Sequence, residues 1–194
     1  MAARMVISVG LLALALGASA GARPARAVRQ LGSDETDTVV TFRLGDQFGR
    51  QHDATTYRGQ AWLLVGAANG GRVAAAAWVE TLRAVQDDTT GERVPRTVPV
   101  VAVADLRGVP RLLRRFVRAR FPRDPERAVL LDWDGSLARR FGFDGAQSTI
   151  LLVDPSGRPA ARTRSTAVDS ALARTLVHQA ATTAGTVGRA TAPR

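Results

Sequence analysis

The 194-residue sequence contains no cysteine and no lysine, and only two histidines. Without cysteine the chain forms no disulfide, no thiolate nucleophile and no thiolate metal ligand. Intramolecular thiol–disulfide exchange needs two thiols and is excluded with them. Stability must therefore come from core packing. The histidines, His52 and His178, have no acidic cluster or ligand spacing beside them. Both read as exposed, uninvolved side chains, and no metal site is expected. The Asp132–Gly135 stretch lacks the spacing of a calcium loop and reads as a turn, with Trp133 packing beside it. Ser148 and Thr149 have no partnered base in sequence, so a hydrolase triad has no support.

Long apolar runs are missing too. Val6–Leu16 is the strongest, and it is too short to span a bilayer. With Arg4 before it and Ala18-Ser19-Ala20 after it, the run reads as a signal peptide over residues 1–20, with Ala25-Arg26-Ala27 a second cleavage candidate. No cysteine follows the run, which excludes lipid attachment there. No Arg-Arg pair precedes it, which favours the general export route. An exported chain, periplasmic or secreted, is expected.

All 27 basic residues are arginine, against 17 acids, for a net charge of +10. Such charge suits anionic partners. Nucleic acid is not expected as a partner of an exported protein. The oligomeric state stays open.

What is present is an α/β pattern. Residues 21–37 are polar and read as a flexible linker, and 182–194 as a disordered tail. Between them, 38–181 forms one domain. Thr38–Leu44 alternates as a strand, Gly45–Gly49 turns, and Gln51–Gly59 reads as a polar connection with Tyr57 packing. Trp62–Ala67 is apolar on consecutive residues, as in a strand buried on both faces. Asn69, Gly70 and Gly71 break the chain. Val73–Val85 is a helix with Trp78, Leu82 and Val85 toward the sheet. Val98–Ala104 and Ala128–Asp132 are further buried strands.

Val109–Phe121 reads as an amphipathic helix. Leu112, Leu113, Phe116, Val117 and Phe121 form its apolar side and Arg111, Arg114, Arg115 and Arg118 the other. Its arginines suit a transient membrane-surface contact or an acidic protein patch, although a solvated face is the simpler reading. Gly135–Phe141 is a short helix. Thr149–Asp154, Pro155-Ser156-Gly157 and Arg158–Arg164 make a hairpin. Val168–Ala181 closes the domain, with Leu172, Leu176 and Ala180 inward. Parallel crossovers followed by an antiparallel hairpin imply a mixed sheet with helices on both faces.

This order, together with FRLGDQFGR (42–50), WLLVGAANGGRVAAAAWVETL (62–82) and TILLVDPSGRP (149–159), resembles the thioredoxin-like superfamily in its redoxin or peroxiredoxin-like form. The resemblance covers residues 38–181 and implies a three-layer thioredoxin-like α/β fold. It places the family's first active-site cysteine near Gly71 and the second near Ala74. Gln147-Ser148-Thr149 stands where the family has its cis-proline loop. With no proline there, a trans loop is expected, since a cis bond costs about 2.5–4 kcal/mol. No catalytic residue and no cofactor is expected. The implied function is a non-catalytic binding or interaction module. Its contact surface would comprise Asn69, Gly70, Gly71 and Arg72 with Ser148 and Thr149, taking a protein or a small anionic ligand. The alternative is an oxidoreductase of the redoxin class that depends on an external thiol.

Overall fold

The computed structural model describes residues 29–30, 38–88 and 98–190, with side chains over 38–87 and 98–183. The expected signal peptide, most of the expected linker and the end of the tail lie outside the described residues. Twelve elements define the fold: strands β1 (Arg29–Gln30), β2 (Arg43–Gly45), β3 (Gln51–Asp53) and β4 (Trp62–Ala67), helix α1 (Arg72–Asp88), β5 (Val100–Asp105), α2 (Arg114–Arg118), β6 (Val129–Asp132), α3 (Ser136–Phe141), β7 (Ser148–Val153), β8 (Pro159–Ser165) and α4 (Ser170–Ala190).

The main sheet has the order β1-β8-β7-β4-β5-β6, and β2 pairs with β3 in a separate small sheet. β4, β5 and β6 run parallel, as the crossovers require, while β7 is antiparallel to β4 and β8 to β7. β4 is central, and every residue in it is buried. That placement is why its sequence is continuously apolar rather than alternating. Leu63 and Val65 face one layer with Trp78, Leu82, Leu172 and Leu176 from α1 and α4. Trp62 and Leu64 face the other with Val40, Phe42, Leu137, Phe141 and Phe143. Tyr57 stacks on Trp62 at 5.1 Å between ring centroids, and Phe42 meets the same ring edge-on at 6.1 Å. The mixed sheet with helices on both faces is as the sequence implies.

Several expectations are corrected. Of Thr38–Leu44, only residues from Arg43 onward pair as strand. Val40 and Phe42 are buried, so this stretch alternates because it lines the core. Its partner strand, Gln51–Asp53, falls in the presumed polar connection. Arg29–Gln30, expected in the flexible linker, adds to the sheet edge beside β8. α4 continues past Ala181 to Ala190, where a disordered tail was expected.

The expected helix over 109–121 is a 3-10 turn, Arg111–Leu113, running into the five-residue α2. Its apolar side is not buried as a unit. Leu112 is 88% exposed, Phe116 69% and Leu113 49%. Val109, Arg114, Val117 and Phe121 are the partly buried positions. Arg114 turns inward because its guanidinium lies 5.0 Å over the Trp133 ring, a cation–π contact.

Candidate functional site

β4 ends at Ala67, and the chain enters α1 through Ala68 and a 3-10 turn over Asn69–Gly71. Antiparallel pairing sets Ala67 opposite Ser148 and Gly66 opposite Thr149. The glycine turn therefore abuts residues 145–147, which lead into β7. The six predicted site residues are thus brought to one region of the molecule, but they do not share one surface. Asn69, Gly70 and Arg72 are exposed, whereas Gly71, Ser148 and Thr149 are buried. The Ser148 hydroxyl donates to the Ser165 carbonyl at 2.9 Å, across to the neighbouring strand. The peptide bonds of Gln147–Ser148–Thr149 are trans.

Main-chain contact is very close here. A Cβ on Gly71 would stand 2.3 Å from the Gln147 carbonyl oxygen and 3.2 Å from the Ala67 methyl. A Cβ on Gly70 would stand 2.6 Å from the Gly145 carbonyl oxygen. The volume a side chain at position 71 would need is therefore filled by backbone. Beneath the turn, Gly66 makes room for the fully buried Phe143 ring. A Cβ there would fall 1.9–2.4 Å from three ring carbons.

No protein-family model matches the chain, and no curated protein matches it. Solved structures do match. Against the exposed lipoprotein thioredoxin Etrx1 of Streptococcus pneumoniae the TM-score is 0.53 at 18% identity, over 71% of this chain and 98% of that one. Against a secreted thiol-disulfide isomerase from Corynebacterium glutamicum it is 0.54 at 13% identity, over 80% and 92%. The fold is thioredoxin-like. A thiol:disulfide interchange protein of the thioredoxin family from Chlorobium tepidum also superposes, with a TM-score of 0.50 at 15% identity over 75% and 97%.

The thioredoxin-like scaffold here holds no sulfur that could act as nucleophile, since the chain has no cysteine and its two methionines lie at positions 1 and 5. The electrostatics near the site come from carboxylates at the C-terminal ends of the parallel strands. Asp105 holds Arg107 at 2.8 Å, and Arg107 donates to the Phe143 carbonyl at 3.2 Å. Asp132 is buried and accepts from the Ser136 and Ala138 amides at 2.9 Å each, capping α3. Burial pushes its carboxyl above the ordinary value. The hydrogen bond it shares with Asp134 pushes that carboxyl down.

Elsewhere the sequence reading missed a cluster. His52 is not uninvolved: its Nε2 lies 2.9 Å from Oδ2 of the buried Asp46. Arg50 Nε donates to the same oxygen at 2.8 Å, and the Phe48 and Arg50 amides donate to Oδ1. Gln47 extends the clasp, donating to the Pro122 and Arg127 carbonyls and accepting from the Val129 amide. The GDQFGR turn thus ties the small sheet to the edge of β6. The local i, i+4 and i, i+6 spacing of Asp46, Arg50 and His52 was the available signal.

Burial alone would raise the Asp46 carboxyl, but the hydrogen bonds from His52 and Arg50 outweigh it and hold the group at about 2, below the ordinary 3.8. The native state then binds the proton less readily than the unfolded chain. Stability from Asp46 is complete above the unfolded value and is lost as pH falls from 3.8 toward 2. The difference corresponds to about 2 kcal/mol. Asp46→Asn is expected to lower urea-unfolding stability by that amount at about pH 6, with the gap to wild type closing by about pH 2.

Proposed function

We propose that the chain is an exported, redoxin-like binding module that uses a thioredoxin-like scaffold without thiol chemistry. The observation that carries this reading is the packing at Gly71. Where a thiol would have to stand, the Gln147 carbonyl occupies the space. The exposed remainder, Asn69, Gly70 and Arg72, forms the contact surface, and the buried Gly71, Ser148 and Thr149 hold it in place. α1 begins here, so its free amides and dipole add to the attraction of Arg72 for a carboxylate or phosphate. A partner protein presenting an acidic side chain, or a small anionic ligand, fits that chemistry.

Export is supported by the leader-like sequence of residues 1–20 and by two structural neighbours described as an exposed lipoprotein and a secreted isomerase. The alternative, an oxidoreductase of the redoxin class, would have to take its thiol from outside the chain, at the exposed Asn69, Gly70 and Arg72.

The test is a thermal-shift screen of anionic metabolites, with a pull-down from the exported fraction. A ligand or partner is expected to raise Tm by roughly 8 °C at about a hundred times its Kd. Arg72→Ala is expected to abolish that shift and the capture. No response in either assay, or a response unchanged by Arg72→Ala, would overturn the proposal.

A further inference from the structure

We propose that residues 107–123 dock on an anionic phospholipid surface, with Leu112 and Phe116 entering the headgroup region and the flanking arginines pairing with lipid phosphates. The inference is independent of the Gly70–Gly71 reading. Leu112 and Phe116 are four residues apart and share one face of the turn-and-helix segment. With Leu113 they make up three of the five large apolar side chains exposed among the described residues. Of the other two, Phe48 is covered by the Arg50 guanidinium at 5.0 Å, and Val73 stands apart on α1.

Charge on the segment is of one sign. Residues 106–123 include seven arginines and no Asp or Glu. Arg107 is held by Asp105, and Arg114 lies on Trp133. The side chains of Arg111, Arg115, Arg118, Arg120 and Arg123 have no carboxylate or hydrogen-bond partner among the described residues. On the helical wheel Arg115 falls beside the Leu112–Phe116 stripe, and Arg111 and Arg118 fall farther round the same flank, so the protruding apolar groups have unpaired cations along one side.

That combination selects the occupant. A second copy would bring the same unpaired cations face to face. An acidic protein patch would satisfy the arginines, but it would have to provide pockets for Leu112 and Phe116. An anionic lipid interface satisfies both groups without shaped complementarity, as amphipathic segments rich in arginine, leucine and phenylalanine do. Pro110 caps the 3-10 turn and Pro122 follows the helix, which fixes the segment at both ends. No helix among the described residues is long and apolar enough to cross a membrane.

The absence of cysteine makes the test specific. Ala119→Cys, at an exposed position beside Arg118, gives a single labelling site for an environment-sensitive fluorophore. The label reports the segment itself, whatever residues 1–28 do at the same membrane. The full chain is expected to show a blue shift on vesicles containing phosphatidylglycerol and none on phosphatidylcholine alone. Adding Leu112→Ser with Phe116→Ser, or Arg111→Gln with Arg115→Gln and Arg118→Gln, is expected to weaken the response about tenfold with Tm unchanged. Four results would overturn the proposal: no shift on phosphatidylglycerol, an equal shift on both vesicle types, a shift untouched by the variants, or a response only to an acidic polypeptide or to self-association.

Discussion

Installing the thiol pair, Gly71→Cys with Ala74→Cys, is expected to destabilise the domain and to yield no disulfide-exchange activity. The obstacle is steric and lies in the main chain. A Cβ at position 71 would meet the Gln147 carbonyl oxygen at 2.3 Å, and that oxygen belongs to the residue that leads directly into the buried strand β7. A flexible side chain could swing away; this carbonyl can retreat only if the residues entering the sheet move with it. Overpacking of this kind costs about 3 kcal/mol, or roughly 10 °C in Tm.

Because the obstacle acts on any Cβ, Gly71→Ala is expected to lose as much as Gly71→Cys. Gly70→Ala provides the internal comparison. Its clash is with the carbonyl of Gly145, which sits in the exposed stretch Asp144–Ala146, so the loop can give and the loss should be about 1 kcal/mol. Urea unfolding of the three variants checks the order. A neutral Gly71→Ala would show that the turn is not sealed by packing.

Gly66→Ala is expected to cost about 3 kcal/mol for a different reason, and the reason has its own signature. Here the intruded group is the Phe143 ring, wholly buried in the layer formed with Trp62, Leu137 and Phe141. Phe143→Ala alone removes that ring and should cost about 4 kcal/mol through lost burial and the cavity left behind. The double variant places a methyl where the ring had been. Its loss should fall short of the sum by about 2 kcal/mol, a coupling expected only for residues in direct contact. Additive losses would mean that the two sites do not share this space.

The parts of the fold that the sequence discloses are those in which burial is uniform or strictly periodic. WLLVGA and STILLV are apolar without interruption because β4 and β7 lie inside the sheet with layers on both faces. Trp78, Leu82 and Val85 recur at helical spacing because one side of α1 meets that sheet. The hairpin is signalled by Pro155-Ser156-Gly157, where Gly157 takes a φ of +86°.

What the sequence hides depends on contacts between distant residues. Gln51–Asp53 is polar and short, and it is a strand only because Arg43–Gly45 comes to lie beside it. The 109–121 stretch has the composition of an amphipathic helix. Trp133, far along the chain, draws Arg114 inward and leaves Leu112 and Phe116 outside. His52 stands in a polar stretch, and nothing local shows that Asp46 is buried beneath it. The candidate site was half visible. Two adjacent glycines after a buried strand mark a tight turn into a helix, but the sealing of that turn is supplied by Gln147, which lies across the sheet in sequence terms and contributes only its backbone.

The chain has no cysteine, and the reading proposed above is that its thioredoxin-like scaffold serves binding and does not act through a borrowed sulfur. The most direct measurement is peroxide consumption by the purified protein, alone, with glutathione and with a complete thioredoxin system. The account predicts a rate equal to that of buffer in all three cases. Turnover above buffer in any one of them, proportional to protein concentration, would contradict it.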